Sequence, residues 1–403
     1  MKDTQIKKLI SAEKARQKKV TNLIASENYV SKDVLEALGS ELTNKYAEGY
    51  PGHRYYGGNE YVDRLENLCR ERALKLFGLT ASDWHVNVQP LSGSPANVAA
   101  YLALVPVGGK IMGMSLDHGG HLTHGHKASI TGKAWVQVPY GVESKTEMID
   151  YVAVKEIAMR ERPALIVAGY TAYPRMVDFK KFREIADACG AILMVDMSHF
   201  AGLVAGKQYS SPFEYADVVT TTTHKTLRGP RSALIFVRKD SRELEKKIDR
   251  AVFPGMQGGP HLNQIAAIAV TLKEDATPAF AKYALQVKKN AKVLADTLTK
   301  LGWRIISGGT DTHLVLVDTW MAGTKNEKGA GGIPGKVASD ALEAAGIIVN
   351  KNTIPGETRS PMDPSGIRLG SPAETTRGKK EKDFVRIAEK INKVLRSLQP
   401  KVQ

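Results

Sequence analysis

The chain has 403 residues, more than the roughly 250–300 that one hydrophobic core usually organises, so two domains, or a large and a smaller one, are expected. Its 42% hydrophobic and 25% charged residues are ordinary for a globular protein, and its apolar runs, such as 165–169 and 192–195, are far too short to span a membrane. The net charge of +15 is spread along the chain, with short clusters only at 14–19 and 377–382 and no nucleic-acid-binding motif, so it argues for a basic surface suited to anionic small molecules more than for RNA binding.

The opening residues contain no apolar signal core, and a cytoplasmic protein is expected. The first fifty residues are too poor in alternating strands to form a domain and read as an arm, 1–50. Residues 59–77 carry Val62, Leu65, Leu68, Cys69, Ala73, Leu76 and Phe77 at helical spacing, with Gly78 as the stop. A second helix opens near Ser94–Pro95, with proline in its first turn. Apolar strands and helices then alternate. "KIMGMSL" and "PALIVAGYTAY" read as strands. "DFKKFREIADACG" reads as a helix capped by Asp178 and ended by Gly190. "AILMVDMSHF", "ADVVTTTTH" and "RSALIFVR" read as further strands. Strands apolar on both faces, alternating with helices, imply a mostly parallel sheet covered by helices, placed here at 51–270.

After residue 260 the texture changes. A lysine-rich helical region covers about 263–301. "WRIIS", "HLVLVD", a helix at 334–345, "IIVNKN", "GIRLG" and a helix at 381–398 follow, which is the pattern of a smaller α+β domain, 271–403. Residues 321–333, "MAGTKNEKGAGGI", read as a glycine-rich loop. Cys69 and Cys189 sit in helical patterns without metal or redox spacing and are expected to be reduced, packed thiols.

Ligands of open α/β sheets bind at the carboxyl ends of the strands. Three strand ends here carry unusual polar groups. "AILMVDMSHF" places Asp196 after an apolar run and His199 three residues later. "ADVVTTTTHK" ends in His224–Lys225. "KIMGMSLDHGGHLTHGH" ends in histidines and glycines. A charge at the end of a buried strand is costly unless paired, and a plain Asp196–Lys225 ion pair would answer that cost. The alternative is a cofactor between them. A desolvated lysine has a lowered pKa and forms Schiff bases. Pyridoxal phosphate needs such a lysine, an acid for its ring nitrogen, and a phosphate cup, for which "SGS" at 92–94, opening a helix, is suited.

"LIASENYVS", "LTNKYAEGYPGHRYYGGNEYVD", "NVQPLSGSPAN", "DHGGHLTHGH", "VDMSHFAGLVA", "VVTTTTHKTLRGPR", "FPGMQGGP", "SGGTDTHLVLVD", "VNKNTIP" and "SGIRLGSPA" occur in this order. With this set the chain resembles the serine hydroxymethyltransferase family over nearly its whole length. The resemblance implies an α/β fold-type I pyridoxal-phosphate transferase (aspartate aminotransferase-like), with a mostly parallel seven-stranded sheet in the large domain and a small C-terminal α+β domain. It implies conversion of L-serine and tetrahydrofolate to glycine and 5,10-methylenetetrahydrofolate.

By position, the resemblance implies that Lys225 holds pyridoxal phosphate, Asp196 pairs with the ring nitrogen, His121 stacks on the ring, and His199 bonds the ring's 3-oxygen, near which Thr171 stands. Ser92, Gly93 and Ser94 would bind the phosphate, with Tyr46 and Gly259 of a partner subunit, so that at least a dimer is needed. Arg368 would clamp the substrate carboxylate, with Ser26 and Tyr56 beside it. Glu48 would move protons during transfer, His224 would govern specificity and geometry, and Thr222 and Arg231 would support the lysine region. Tetrahydrofolate would meet Leu116, Gly120, His121, Leu122, Tyr55, Glu48 and Asn352. No membrane or nucleic-acid partner follows from the resemblance.

His118, His124 and His126 mimic a metal cluster, but the crowding glycines argue against a zinc geometry, and no metal is expected. Arg368 could instead be a structural ion-pair partner, Glu48 a solvated loop charge, and most of the tyrosines plain packing groups. Met362, Asp363 and Pro364 depart from the family pattern on the folate side, and Pro95 follows the eukaryotic pattern. Two other functions fit parts of the sequence: a folate-independent aldolase acting on threonine or other β-hydroxy amino acids, and, more distantly, an RNA-binding protein.

Overall fold

A computed structural model describes residues 1–320 and 332–398. The glycine-rich loop expected at 321–333 therefore lies outside the described residues except for its last two. Two compact units are present, one formed by Asn28–Gln286 and the other by Met1–Glu27 with Val287–Gln403.

The larger unit is built on seven strands: β1 (Trp84–Asn87), β2 (Lys110–Met114), β3 (Val136–Tyr140), β4 (Leu165–Gly169), β5 (Ile192–Asp196), β6 (Val218–Thr222) and β7 (Ala233–Arg238). They lie in the order β1-β7-β6-β5-β4-β2-β3. The pairs from β6 across to β3 are parallel, and β7 runs antiparallel to both β6 and β1. This is the mostly parallel seven-stranded sheet implied above. Every residue of β4 and β6 is buried, as strands covered on both faces require. Strands β1 and β3 escaped sequence reading. Each is short, and β3 contains Pro139, which an edge strand tolerates because one side of its ladder is unpaired.

Helices α1 (Glu60–Phe77), α2 (Gly93–Leu104), α3 (Tyr151–Glu161) and α4 (Phe179–Cys189) surround this sheet's connections. Gly78 and Gly190 end α1 and α4 in the left-handed conformation that glycine adopts without a Cβ penalty. The Asp178 side chain caps α4 by accepting the Lys181 N–H. Tyr101, Trp135, Val167, Met194 and Ile235 belong to one buried cluster. Cys69 and Cys189 are buried and free.

The helical region expected over 263–301 is two helices, α5 (Leu262–Asp275) and α6 (Pro278–Lys300). Pro278 has no N–H to continue α5, and its fixed φ suits a helix start. Thr277 accepts the Phe280 N–H at 3.4 Å from the position of a cap.

The smaller unit holds an antiparallel sheet of β8 (Arg304–Ile305), β9 (Leu314–Asp318), β10 (Asn350–Asn352) and β11 (Gly366–Gly370), in the order β8-β9-β11-β10. Helices α7 (Gly335–Ala344) and α8 (Glu381–Arg396) accompany it, and Leu294, Trp303, Val315, Ile367, Phe384 and Ile391 share its core. Thr21 and Asn22 pair in parallel with Ile347 and Ile348, which ties the start of the chain to this unit. Among the described residues, no helix is long and apolar enough to cross a membrane.

Asp217, just before β6, accepts the Leu193 N–H at 2.8 Å, Arg183 at 2.8 Å and Arg242 at 2.6 Å. Burial alone would raise its carboxyl, but these donors outweigh burial and hold it below the usual carboxylate range. The folded state therefore gains stability above the ordinary carboxylate pKa and loses it as pH falls through the lowered value. Asp217→Ala should cost about 1–3 kcal/mol at neutral pH, because it leaves the buried Leu193 N–H without its acceptor. In differential scanning calorimetry its midpoint should fall well below that of wild type at pH 7, with the gap shrinking in strong acid.

Candidate active site

Strands β4, β5 and β6 end in register: Gly169 opposes Asp196, and Asp196 opposes Thr220. Gly169 is required there, since a Cβ would stand 2.4 Å from the Asp196 carbonyl oxygen. The Asp196 carboxylate is buried and held by three donors. Oδ2 accepts Asn97 Nδ2 at 2.9 Å and lies 3.2 Å from His124 Nε2, and Oδ1 accepts the Ser198 N–H at 3.1 Å. Burial would push this carboxyl up. Hydrogen bonds, that from His124 first and then that from Ser198, oppose burial and hold it well below the usual range. Asp196 is therefore an anion.

The turn after β5 is stitched to the turn after β6. Thr222 N–H donates to Ser198 Oγ at 3.1 Å, and Thr226 Oγ1 donates to the His199 carbonyl at 3.0 Å while accepting the Gly202 N–H at 2.9 Å. Lys225 sits in this second turn. Its carbonyl accepts Asn28 Nδ2 at 2.9 Å and the Arg228 N–H at 3.2 Å, so its backbone is held from two sides. His224 precedes it with a buried Nδ1 that finds no hydrogen-bond partner among the described residues. Burial, reinforced by the charges of Lys225 and Arg231, lowers its pKa to about 3, so it is a neutral imidazole.

Helix α2 points its N-terminus at the same place. Ser92 is the N-cap residue, and its side chain makes no cap bond. A Cβ on Gly93 would stand 2.6 Å from Thr222 Cγ2, so only glycine lets the helix start approach the end of β6. The loop after β2 closes the group. A Cβ on Gly120 would stand 1.9 Å from the Met114 carbonyl oxygen, and Gly119 adopts a φ of +104°. The Gly119 carbonyl accepts the Thr171 N–H at 2.7 Å, which brings the His121 loop beside Thr171. His121 Nδ1 lies 2.7 Å from Thr123 Oγ1.

The three extra histidines do different jobs. His124 serves Asp196. His118 Nδ1 accepts the Val142 N–H at 2.8 Å, and His126 Nδ1 accepts the Ala128 N–H at 3.2 Å. Among the described residues no His, Cys, Asp or Glu group is placed to hold a metal ion.

A second constellation forms in the same unit. Tyr46 OH donates to Glu48 Oε1 at 3.2 Å, and the Tyr46 and Tyr56 rings meet edge-on at 5.1 Å. A Cβ on Gly259 would stand 3.7 Å from both the Tyr46 ring and Glu48 Cγ. The Tyr55 N–H donates to the Glu48 carbonyl at 3.1 Å, and its ring lies 5.7 Å from Phe253. Tyr46, Tyr55 and Tyr56 are exposed. Leu116 and Leu122 flank the His121 loop.

In the smaller unit, Arg368 lies buried at the centre of β11, and its Nε donates to Asn350 Oδ1 of the neighbouring strand at 3.1 Å. Burial lowers its pKa to about 10, so it remains a cation at neutral pH. Asn352 lies two residues beyond Asn350 on β10. The segment carrying Ser26 is drawn to the end of β11: the Gly370 N–H donates to the Leu23 carbonyl at 2.7 Å, and a Cβ on Gly370 would stand 2.3 Å from Ala25 Cα. Met362 is 74% exposed, and Asp363 pairs with Arg359, whose guanidinium lies 4.0 Å over the Trp320 ring.

Sequence reading missed Asn97, Thr123, Ser198, Asn28 and Asn350 and gave His124 no role. Asn97 had a signal, being one amide in the otherwise apolar run "ANVAAYLAL". The contact between Gly93 and Thr222 is directly testable. Gly93→Ala should destabilise the protein by about 1–3 kcal/mol through overpacking. Adding Thr222→Ser, which removes the opposing methyl and keeps the hydroxyl, should restore most of the thermal midpoint.

A family model described as Serine hydroxymethyltransferase matches residues 1–391. The serine hydroxymethyltransferase of Koribacter versatilis (strain Ellin345) is 54% identical over 394 residues, covering 98% of this chain and 89% of the relative. That of Desulfotalea psychrophila (strain LSv54 / DSM 12343) is 52% identical over 397 residues, again covering 98% and 89%. With an ordered strand-end constellation and a match over nearly its whole length, the chain belongs to the serine hydroxymethyltransferase family.

Proposed function

We propose that Lys225, Asp196 and the Ser92–Gly93–Ser94 helix start form the pyridoxal-phosphate site at which this chain carries out its family's reaction. That reaction is the reversible conversion of L-serine and tetrahydrofolate to glycine and 5,10-methylenetetrahydrofolate. The observation that carries the site reading is the position of Thr222. Its methyl limits the approach of Gly93, and its N–H is tied to the Asp196 turn through Ser198. Lys225 lies three residues further on.

The residues fit the cofactor. A helix N-terminus whose N-cap serine makes no cap bond suits a phosphate. A buried anionic Asp196 suits a protonated ring nitrogen. When bound, pyridoxal phosphate supplies an electron sink for the bonding pair released at the substrate Cα. Lys225 holds its aldehyde, and His121 and His199 orient the ring. Thr171 and the orphaned His224 Nδ1 stand beside these groups. Because His224 is neutral, it adds no charge that would compete with Lys225 for protons.

Arg368 would take the serine carboxylate in a two-pronged grip and so fix which Cα bond can break, with Ser26 assisting. Glu48 moves the proton at the hydroxymethyl oxygen. Leu116, Gly120, Leu122, Tyr55 and Asn352 face the folate. Tyr46 and Gly259 are expected to serve the partner subunit's phosphate, and Glu48 and Tyr56 touch the same group. The four therefore cross together, and at least a dimer completes each site. A cytoplasmic location belongs to the same proposal, in keeping with two buried free thiols where a secreted protein would favour disulfides.

Purified protein should absorb in the visible, and Lys225→Ala should abolish that band. A borohydride-reducible cofactor surviving in Lys225→Ala would remove Lys225 from its role. Arg368→Ala should raise the serine KM by about 100-fold or more, the scale of a lost bidentate charged pair. Serine turnover that proceeds equally well without tetrahydrofolate would favour the aldolase reading. Because His224 titrates near 3, His224→Asn should leave the acid limb of the kcat profile above pH 5 in place.

A further inference from the structure

Asp196 is held asymmetrically. Oδ2 receives two side-chain donors, Asn97 Nδ2 at 2.9 Å and His124 Nε2 at 3.2 Å, whereas Oδ1 receives a single backbone N–H, from Ser198 at 3.1 Å. Each carboxylate oxygen can accept twice, so Oδ1 keeps a lone pair for a further donor. The His124 side chain is fully buried, and its other nitrogen is committed: Nδ1 accepts the His121 backbone N–H at 3.2 Å. A ring nitrogen that accepts carries no proton, so the imidazole proton sits on Nε2, aimed at Asp196. In that tautomer His124 donates one hydrogen bond and brings no positive charge.

Asn97 is fixed just as firmly. Its amide nitrogen donates both to Asp196 and to Thr123 Oγ1, at 2.9 Å each, and its carbonyl accepts Thr220 Oγ1 at 2.8 Å. Turning the amide over would set its carbonyl oxygen against the Asp196 carboxylate, an acceptor against an acceptor. Thr123 Oγ1 also lies 2.7 Å from His121 Nδ1. One short network therefore joins the carboxylate to the loop that carries His121.

We propose that His124 is a positioning residue for Asp196: as a neutral Nε2–H tautomer set by the His121 backbone, and together with Asn97, it pins Oδ2 so that Oδ1 meets the cofactor ring nitrogen as a full anion. This rests on the reading that Asp196 meets that nitrogen. A charged histidine at the same place would offset the carboxylate and weaken its hold on a protonated ring. A neutral donor orients the carboxylate and leaves its charge intact. The burial of His124 and the commitment of Nδ1 to a backbone amide are the means by which the fold secures that state.

The test uses the full-length holoenzyme and reads pyridoxal-phosphate affinity by equilibrium dialysis. His124→Phe should weaken binding by about tenfold, the loss of one hydrogen bond to a charged group. His124→Gln, whose side-chain N–H₂ can reach the same oxygen, should return to within about threefold of wild type. Wild-type affinity in His124→Phe overturns the proposal, and so does a glutamine variant no better than phenylalanine, which would mark a packing role. Asp196→Asn separates the two levels. If it too binds like wild type, the reading of Asp196 itself fails. If it binds weakly while His124→Phe does not, only the role of His124 fails. Should the phenylalanine variant not fold, ¹⁵N NMR of histidine-labelled wild-type holoenzyme decides. A protonated Nε2 with a bare Nδ1 at His124 supports the proposal, and a protonated Nδ1 overturns it.

Discussion

A carboxylate buried at the end of a central strand is the constraint on which this site is built. Moving such a group out of water costs several kcal/mol unless donors replace the lost solvent. Asp196 finds its donors on separate segments: α2 supplies Asn97, the loop after β2 supplies His124, and its own turn supplies Ser198. Neighbouring positions then yield to it. Gly169 has no side chain because one would strike the Asp196 backbone, and Thr220 spends its hydroxyl on orienting Asn97. Through Ser198 the same turn fixes Thr222, and through Thr222 it fixes the approach of Gly93. Satisfying one charge thus sets the positions of the helix start, the strand end and the turn that presents Lys225.

A buried charge of the smaller unit is handled differently. Arg368 stays cationic at neutral pH despite a pKa lowered to about 10, and a neutral amide, Asn350, orients it. The same economy recurs at His224, where burial keeps the imidazole neutral next to a lysine.

The architecture was legible where hydrophobic pattern and punctuation agree. The apolar runs of β4, β5 and β6 and the glycines after α1 and α4 gave elements, order and sheet type. The polar residues Asp196 and Lys225 stood out because each follows a buried run at a strand end. The edge strands Trp84–Asn87 and Val136–Tyr140 were not legible, because they lack the unbroken apolar run that marked β4 and β5. Nor were the partners of Asp196. Asn97 and His124 lie 99 and 72 residues from it, and hydrogen-bond pairing over that range leaves no local periodicity. The histidine-rich loop looked like a metal site because sequence reveals residue type but not the direction of a ring nitrogen. His118 and His126 turn out to cap backbone amides.

The grouping of Tyr46, Glu48, Tyr56 and Gly259 bears on how two copies would share work. Tyr46 donates to Glu48 and meets Tyr56 edge-on, and a side chain on Gly258 would stand only 3.3 Å from Glu48 Oε1. Groups in such contact move as one body. If Tyr46 and Gly259 reach a partner's phosphate, as proposed, then the proton carrier Glu48 is delivered by the same partner. The exposed tyrosine faces on this segment are then the surface a second copy would cover, because large aromatic area left in water is costly. Glu48 raises the pKa of the Tyr46 phenol, first by its charge and then by accepting its hydrogen bond. The phenol therefore stays protonated and keeps donating to Glu48.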